Sequence, residues 1–185
     1  MKYQPPYTIT SKIIHLIAQI SENIGRLTVL EEIQGSLKLR KANRIRTIQG
    51  SLAIEGNTLS TEQITAILNG KTVIAPPKEV QEVRNAIKAY EAFQQWQPSQ
   101  EVDLLQAHQI LMTGLIDEVG QYRHGGVGVM SGDRVVHMAP PANQVPRLMI
   151  DLLDWLNDSE VHSLIQSSVF HYEFEFIHPF ADGNG

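Results

Sequence analysis

The sequence predicts a mainly α-helical protein: a helical bundle with one β-hairpin, preceded by an N-terminal helical lobe. Three observations carry this. Apolar residues recur every three or four positions through most of the chain. One stretch only, residues 126–138 ("GVGVMSGDRVVHM"), shows two short β-branched runs around Ser131-Gly132-Asp133, a hairpin signal. Gly, Pro and capping signals fall between the periodic segments.

The elements follow in order. Ile13, Ile17, Ile20, Ile24 and Leu27 set an amphipathic helix over 13–28. A second helix runs from 37 to about 55, and Gly56-Asn57 supplies its stop. Ser60 to Gln63 ("STEQ") is a capping box that opens a short helix closed by Asn69-Gly70. Ala75-Pro76-Pro77 marks a boundary between the N-terminal lobe, 1–75, and the main domain, 76–185. A long helix to about 95 carries Val80, Val83, Ile87 and Tyr90 on one stripe. Another follows Ser99 with Leu104, His108, Leu111 and Leu115 in line. After the hairpin, a helix covers 144–157, with Pro146 tolerated only in its first turn. The last helix spans about 161–176, aligns Ile165, Val169, Tyr172 and Phe176, and delivers the chain to His178.

Bulk properties narrow the class. The 185 residues are 42 % hydrophobic and 19 % charged, as in ordinary soluble domains. The net charge of -5 argues against general nucleic-acid binding. With no Cys there is no disulfide and no thiolate zinc site. The N-terminus lacks a secretory apolar run, and no stretch reaches the ~18 apolar residues that cross a bilayer. The expectation is a soluble, cytoplasmic protein without a membrane partner; self-association is left open. The seven His residues lack tight ligand spacing, which excludes a structural metal site. Lys38, Arg40, Lys41, Arg44 and Arg46 read as a solvated basic helix face. His108, on an apolar stripe, reads as a satisfied core histidine.

The chemistry concentrates in the last eight residues, "HPFADGNG". Gly183, Asn184 and Gly185 let successive backbone N–H groups turn toward one point, a nest for anions such as phosphate. Asp182 beside that nest would repel phosphate unless a cation sat between them, and Mg2+ suits one carboxylate plus phosphate oxygens. His178, four residues earlier, is the side-chain type that exchanges protons near neutral pH. Base, metal ligand and nest together describe transfer of a phosphorus-bearing group to a hydroxyl. A DGNG turn alone is an ordinary surface turn, and Phe180 is a core anchor on either reading.

That combination resembles the Fic family, whose signature is His-x-Phe-x-Asp/Glu-Gly-Asn-Gly-Arg. His178, Phe180, Asp182, Gly183, Asn184 and Gly185 match it, and "GQYR" and the "APP" after the hairpin also resemble the family. The resemblance implies a Fic fold and transfer of AMP from ATP to a Ser, Thr or Tyr hydroxyl of a protein target. It implies His178 as base, Asp182 as Mg2+ ligand, and Gly183, Asn184 and Gly185 as phosphate cradle. The hairpin sits where the family carries a target-docking flap, which here would comprise Val127, Val129, Val135 and Val136. Its edge suits pairing with an extended segment. Two rival readings are a Fic enzyme that removes AMP or moves another phosphate-linked group, and a non-catalytic nucleotide-binding module.

A second constellation lies upstream. Ile45, Ile48 and Leu52 are spaced by three and four, and the same spacing lands on Glu55. If that stripe is buried, Glu55 needs a cationic partner; otherwise it is a helix-end Glu reaching water. Ser51, Glu55 and Gly56 also match the Ser/Thr-x-x-x-Glu-Gly/Asn pattern of the inhibitory helix in many Fic proteins, here within about 37–57. The resemblance implies that Glu55 pairs with the second Arg of the signature and blocks productive placement of the ATP γ-phosphate. Both Arg positions lie past Gly185. The sequence therefore reads as part of a longer protein, itself a weak ATP·Mg2+ binder without transfer activity.

Overall fold

A computed structural model describes residues 2–34, 37–131 and 134–183, with backbone only over 29–34, 37–40, 129–131 and 134–136. The helices are α1 (Ser11–Gln34), α2 (Leu37–Ile54), α3 (Thr61–Leu68), α4 (Pro77–Ala92), α5 (Glu101–Met112), α6 (Val145–Asp158) and α7 (Ser163–Ile177). The strands β1 (Gly128–Ser131) and β2 (Arg134–Met138) form an antiparallel hairpin between α5 and α6. The fold is mainly α, as the periodicity predicts.

Local chemistry explains the helix ends. Gly56 takes φ +88°, its N–H reaches Ala53 O, and Asn57 N–H reaches Leu52 O, which closes α2 in a Schellman motif. Gly70 closes α3 in the same way at φ +73°. Ser60 Oγ accepts from Gln63 N–H at 3.3 Å and Gln63 Oε1 accepts from Ser60 N–H at 2.9 Å, the reciprocal capping box.

Two apolar clusters build the body. The first joins α2, α3 and α4 through Ile45, Ile48, Leu59, Ile64, Val83, Ala86 and Ile87. It straddles the Ala75-Pro76-Pro77 punctuation, and Ala75 packs against it. The second joins α6, α7 and the loop beyond through Met149, Leu152, Trp155, Phe174, Ile177 and Phe180. Asn85 of α4 links the two regions by donating to Leu111 O and Thr113 O, carbonyls at the end of α5 left without helical donors. The N-terminal arm packs on the second cluster, with Tyr7 edge-on to Trp155 at 6.2 Å.

The structure corrects four stripes. On α7 the inward line is Ile165, Glu173 and Ile177, joined by Phe174 and a half-buried Val169, while Tyr172 and Phe176 are exposed. Spacing aligns Tyr172 and Phe176 with Ile165 and Val169, but Glu173 holds the inward position because Tyr3 O–H donates to its carboxylate at 2.6 Å. On α5, Leu111 is exposed and Leu115 lies past the helix end, where Gly114 turns the chain at φ +75°. On α1, Ile20, Ile24 and Leu27 are exposed and only Ile13 and Ile17 are half-buried. On α2, Arg44 leaves the solvated basic face: its Nη2 donates to Ile87 O at 2.9 Å, and the guanidinium lies over the Tyr90 ring. Among the described residues no helix is long and apolar enough to cross a membrane.

Candidate active site

Helix α7 ends where the motif begins. His178 is its C-cap residue, at φ 50° and ψ 63°, the one non-glycine with positive φ among the described residues. That conformation costs a non-glycine residue about 1–2 kcal/mol, so its surroundings must hold it. The four carbonyls from Phe176 to Pro179 show how. Phe176 O meets His137 Nε2 of β2 at 2.8 Å, and the rings of the two residues lie 4.7 Å apart. Ile177 O and His178 O accept from the Arg123 guanidinium at 3.3 and 2.7 Å, and Pro179 O accepts the Arg123 backbone N–H at 2.9 Å. Carbonyls that an α-helix leaves orphaned are thus satisfied from the hairpin and the segment leading into it.

Phe180 fixes the next step of the chain. It is 1 % exposed, and its ring stacks on His108 at 3.8 Å with neighbours Tyr122 and Phe174. His108 then sets the following turn. Its Nδ1 accepts from Gly120 N–H at 2.9 Å, so the proton of the neutral ring sits on Nε2, which donates to Asp182 O at 3.0 Å. Burial pushes the His108 imidazole below the ordinary histidine range, against a smaller opposing pull from Asp182. His108 is therefore a satisfied neutral histidine, and its hydrogen bond pins the backbone at Asp182.

Asp182 and Gly183 form the exposed lip. Asp182 Oδ1 accepts from Gly183 N–H at 2.8 Å, so a carboxylate here sits on a nest N–H. Gly183 has φ +74°, and a Cβ there would meet Met112 Sδ at 2.5 Å, so no side chain fits without movement. Asn184 and Gly185 lie outside the described residues. A hard, exposed carboxylate oxygen suits Mg2+ arriving with phosphate oxygens. Among the described residues no group of three His, Cys, Asp or Glu could hold a metal by protein ligands alone.

The hairpin pairs Gly128 with Met138, Val129 with His137, Met130 with Val135 and Ser131 with Arg134. The register shifts between Val129 and Met130, so Val136 has no counterpart, as in a β-bulge. Ala139 N–H to Val127 O closes the hairpin's base, and Val127 is half-buried. The side chains of Val129, Val135 and Val136 lie outside the described set, as do Gly132 and Asp133 of the turn.

Residues 97–185 match the Fic/DOC family profile, and 98 % of this chain superposes on a crystal structure of a Fic family protein from Desulfovibrio desulfuricans at 62 % identity and a TM-score of 0.92. The chain belongs to the Fic/DOC family. It covers 56 % of that Fic protein. It is 32 % identical over 83 % of its length to protein adenylyltransferase fic-1 of Caenorhabditis elegans, and 30 % identical over 82 % to protein adenylyltransferase Fic of Nematostella vectensis. The chain spans 32 % and 38 % of the length of those two relatives.

The Fic motif residues His178, Phe180, Asp182 and Gly183 thus form one loop. Ser51, Glu55 and Gly56 lie at the end of α2 and in the turn that closes it, and all three are exposed. Ile45 and Ile48 are buried, Leu52 is half-buried, and the stripe has reached solvent by Glu55. No ion pair to Glu55 occurs among the described residues. The loop after Glu55 is tied to α4: Asn57 Nδ2 donates to Glu82 Oε2 at 2.8 Å and to Glu79 O, and Thr58 N–H donates to Glu79 Oε2 at 2.6 Å. Sequence reasoning missed the structural roles of Arg123 and Asn57. "GQYR" carries a visible Arg, but nothing local says that it is buried.

Proposed function

We propose that this chain is the AMP-transferring part of a protein adenylyltransferase, acting on a Ser, Thr or Tyr hydroxyl of a protein target and restrained by α2. The single observation that carries the reading is the loop after α7, where a left-handed His178 and the Asp182-Gly183 lip are held by buried partners in a Fic/DOC chain. Adenylyltransferases among the relatives support AMP as the group moved.

The residues divide the work by their chemistry. His178 is half-buried, and its Nδ1 is buried without a hydrogen-bond partner among the described residues. The ring nitrogen left to meet a substrate hydroxyl is Nε2. It takes the hydroxyl proton as that oxygen attacks the α-phosphorus of ATP, and pyrophosphate leaves. Gly183 N–H, together with the N–H groups of Asn184 and Gly185, cradles the phosphates once the Asp182 carboxylate swings away. Asp182 would hold Mg2+, which supplies charge neutralisation on the phosphate oxygens when bound. The hairpin receives the target as an added strand, and backbone pairing presents different hydroxyl-bearing segments to one base.

Restraint by α2 is part of the same reading. Its support is the Ser51, Glu55 and Gly56 pattern at a helix end tied firmly to α4, which packs on α5, the helix that carries His108.

The test is product analysis with α-labelled ATP and a hydroxyl-bearing target, using the full-length protein and its His178→Ala variant. Label should enter the target with pyrophosphate released. The variant should lose ~10²–10⁴-fold of the rate while ATP still binds. Label leaving a pre-modified target, a different group transferred, or ATP bound without turnover by the wild type would each replace this reading with one of its rivals.

A further inference from the structure

Arg123 is 3 % exposed, yet no carboxylate pairs with it among the described residues. A buried guanidinium needs its donors satisfied and its charge balanced. Its hydrogen bonds all go to backbone carbonyls. Nε donates to His178 O at 2.7 Å, Nη1 to Gly125 O at 2.7 Å, and Nη2 to Pro140 O at 2.5 Å and Ile177 O at 3.3 Å. Two of these carbonyls end α7, where the helix dipole presents partial negative charge, so the helix terminus stands in for a counter-ion. The other two are the roots of the hairpin, Gly125 before β1 and Pro140 after β2.

We propose that Arg123 is a positioning residue that locks both roots of the hairpin and the backbone of His178 into one rigid unit. This rests on the reading of the hairpin as the target-docking flap and of His178 as the base. A target strand paired to the flap can deliver its hydroxyl to the base only if flap and base keep a fixed separation. A flexible hairpin on a free loop would not keep it. The planar fork of arginine fits this position because it reaches carbonyls in several directions at once, whereas a lysine ammonium at the same place carries the charge but cannot span them. His137 adds a second tie, from β2 to Phe176 O.

The experiment compares wild-type full-length protein with Arg123→Lys. Amide hydrogen exchange should show β1, β2 and residues 177–183 losing protection together, while α2, α3 and α4 keep theirs. With a target peptide, kcat/KM should fall by about 10- to 100-fold while ATP affinity is retained, since small misplacement of reacting groups is costly. Exchange that rises in the hairpin alone, a Lys variant equal to wild type in exchange, or parallel losses of ATP affinity and transfer would overturn the proposal. If wild type transfers no AMP, the functional reading fails on its own, and the exchange result still decides the role of Arg123. If Arg123→Lys does not fold, side-chain NMR of the wild type decides it. A clamped guanidinium gives separate, slowly exchanging Nη resonances, and one averaged, fast-exchanging set would overturn the clamp.

Discussion

The imidazole of His108 lies flat on the ring of Phe180, with centroids 3.8 Å apart and planes 9° from parallel, and hydrogen-bonds Gly120 on one side and Asp182 on the other. Protonation would place a hydrogen on Nδ1, where Gly120 N–H already donates. The folded-state pKa of His108 is depressed, chiefly by burial. The unfolded chain therefore binds the proton first, and stability falls as pH drops below the ordinary histidine value of about 6.5. Above that value the contribution is fully present. We expect the amides of residues 120 and 182–183 to lose exchange protection as pH falls from 7 toward 5, and His108→Phe to remove this pH dependence by keeping the stack without a titrating group. A wild-type profile that stays flat over that range would contradict the neutral assignment.

Gly183 predicts a second outcome. Alanine there meets both the left-handed backbone at φ +74° and the Met112 thioether. Gly183→Ala should weaken ATP binding. Met112→Ala in the same protein should recover only part of the loss, because it makes space without relieving about 1–2 kcal/mol of backbone strain. Isothermal titration of the wild type and the two variants separates the two contributions. Full recovery in the double variant would assign the whole effect to the side-chain clash.

Glu55 gives a test of restraint. It is exposed at the end of a helix whose buried side is complete by Leu52, so replacing it should cost the fold little. Glu55→Gly should raise self-modification by full-length protein supplied with labelled ATP. Labelling equal to or below wild type, with an unchanged melting temperature, would remove Glu55 from regulation.

The register of the hairpin sharpens the test of target docking. Val136 has no cross-strand partner, so proline at that position removes an N–H from the strand while sparing the paired residues around it. Val136→Pro should impair modification of a protein target more than it impairs ATP affinity. Equal loss of both, or no loss of either, would speak against strand addition at this edge.

By itself the sequence determined the elements and the motif. Spacing of three and four places α2 and α4, "STEQ" opens α3, and Gly56 and Gly70 end their helices, because such signals act through neighbours within a turn or two of chain. The eight residues from His178 to Gly185 named the family for the same reason: their chemistry is contiguous. Tertiary structure alone decided what is inside. Glu173 is buried and Tyr172 exposed because Tyr3, 170 positions away, donates to that carboxylate. His178 keeps its left-handed backbone because Arg123, 55 positions away, takes its carbonyl. The turn at Asp182 is pinned by His108, 74 positions away. Periodicity reports which face of a helix is apolar, but the partner that makes a polar group worth burying comes from distant chain, and only the fold brings the two together.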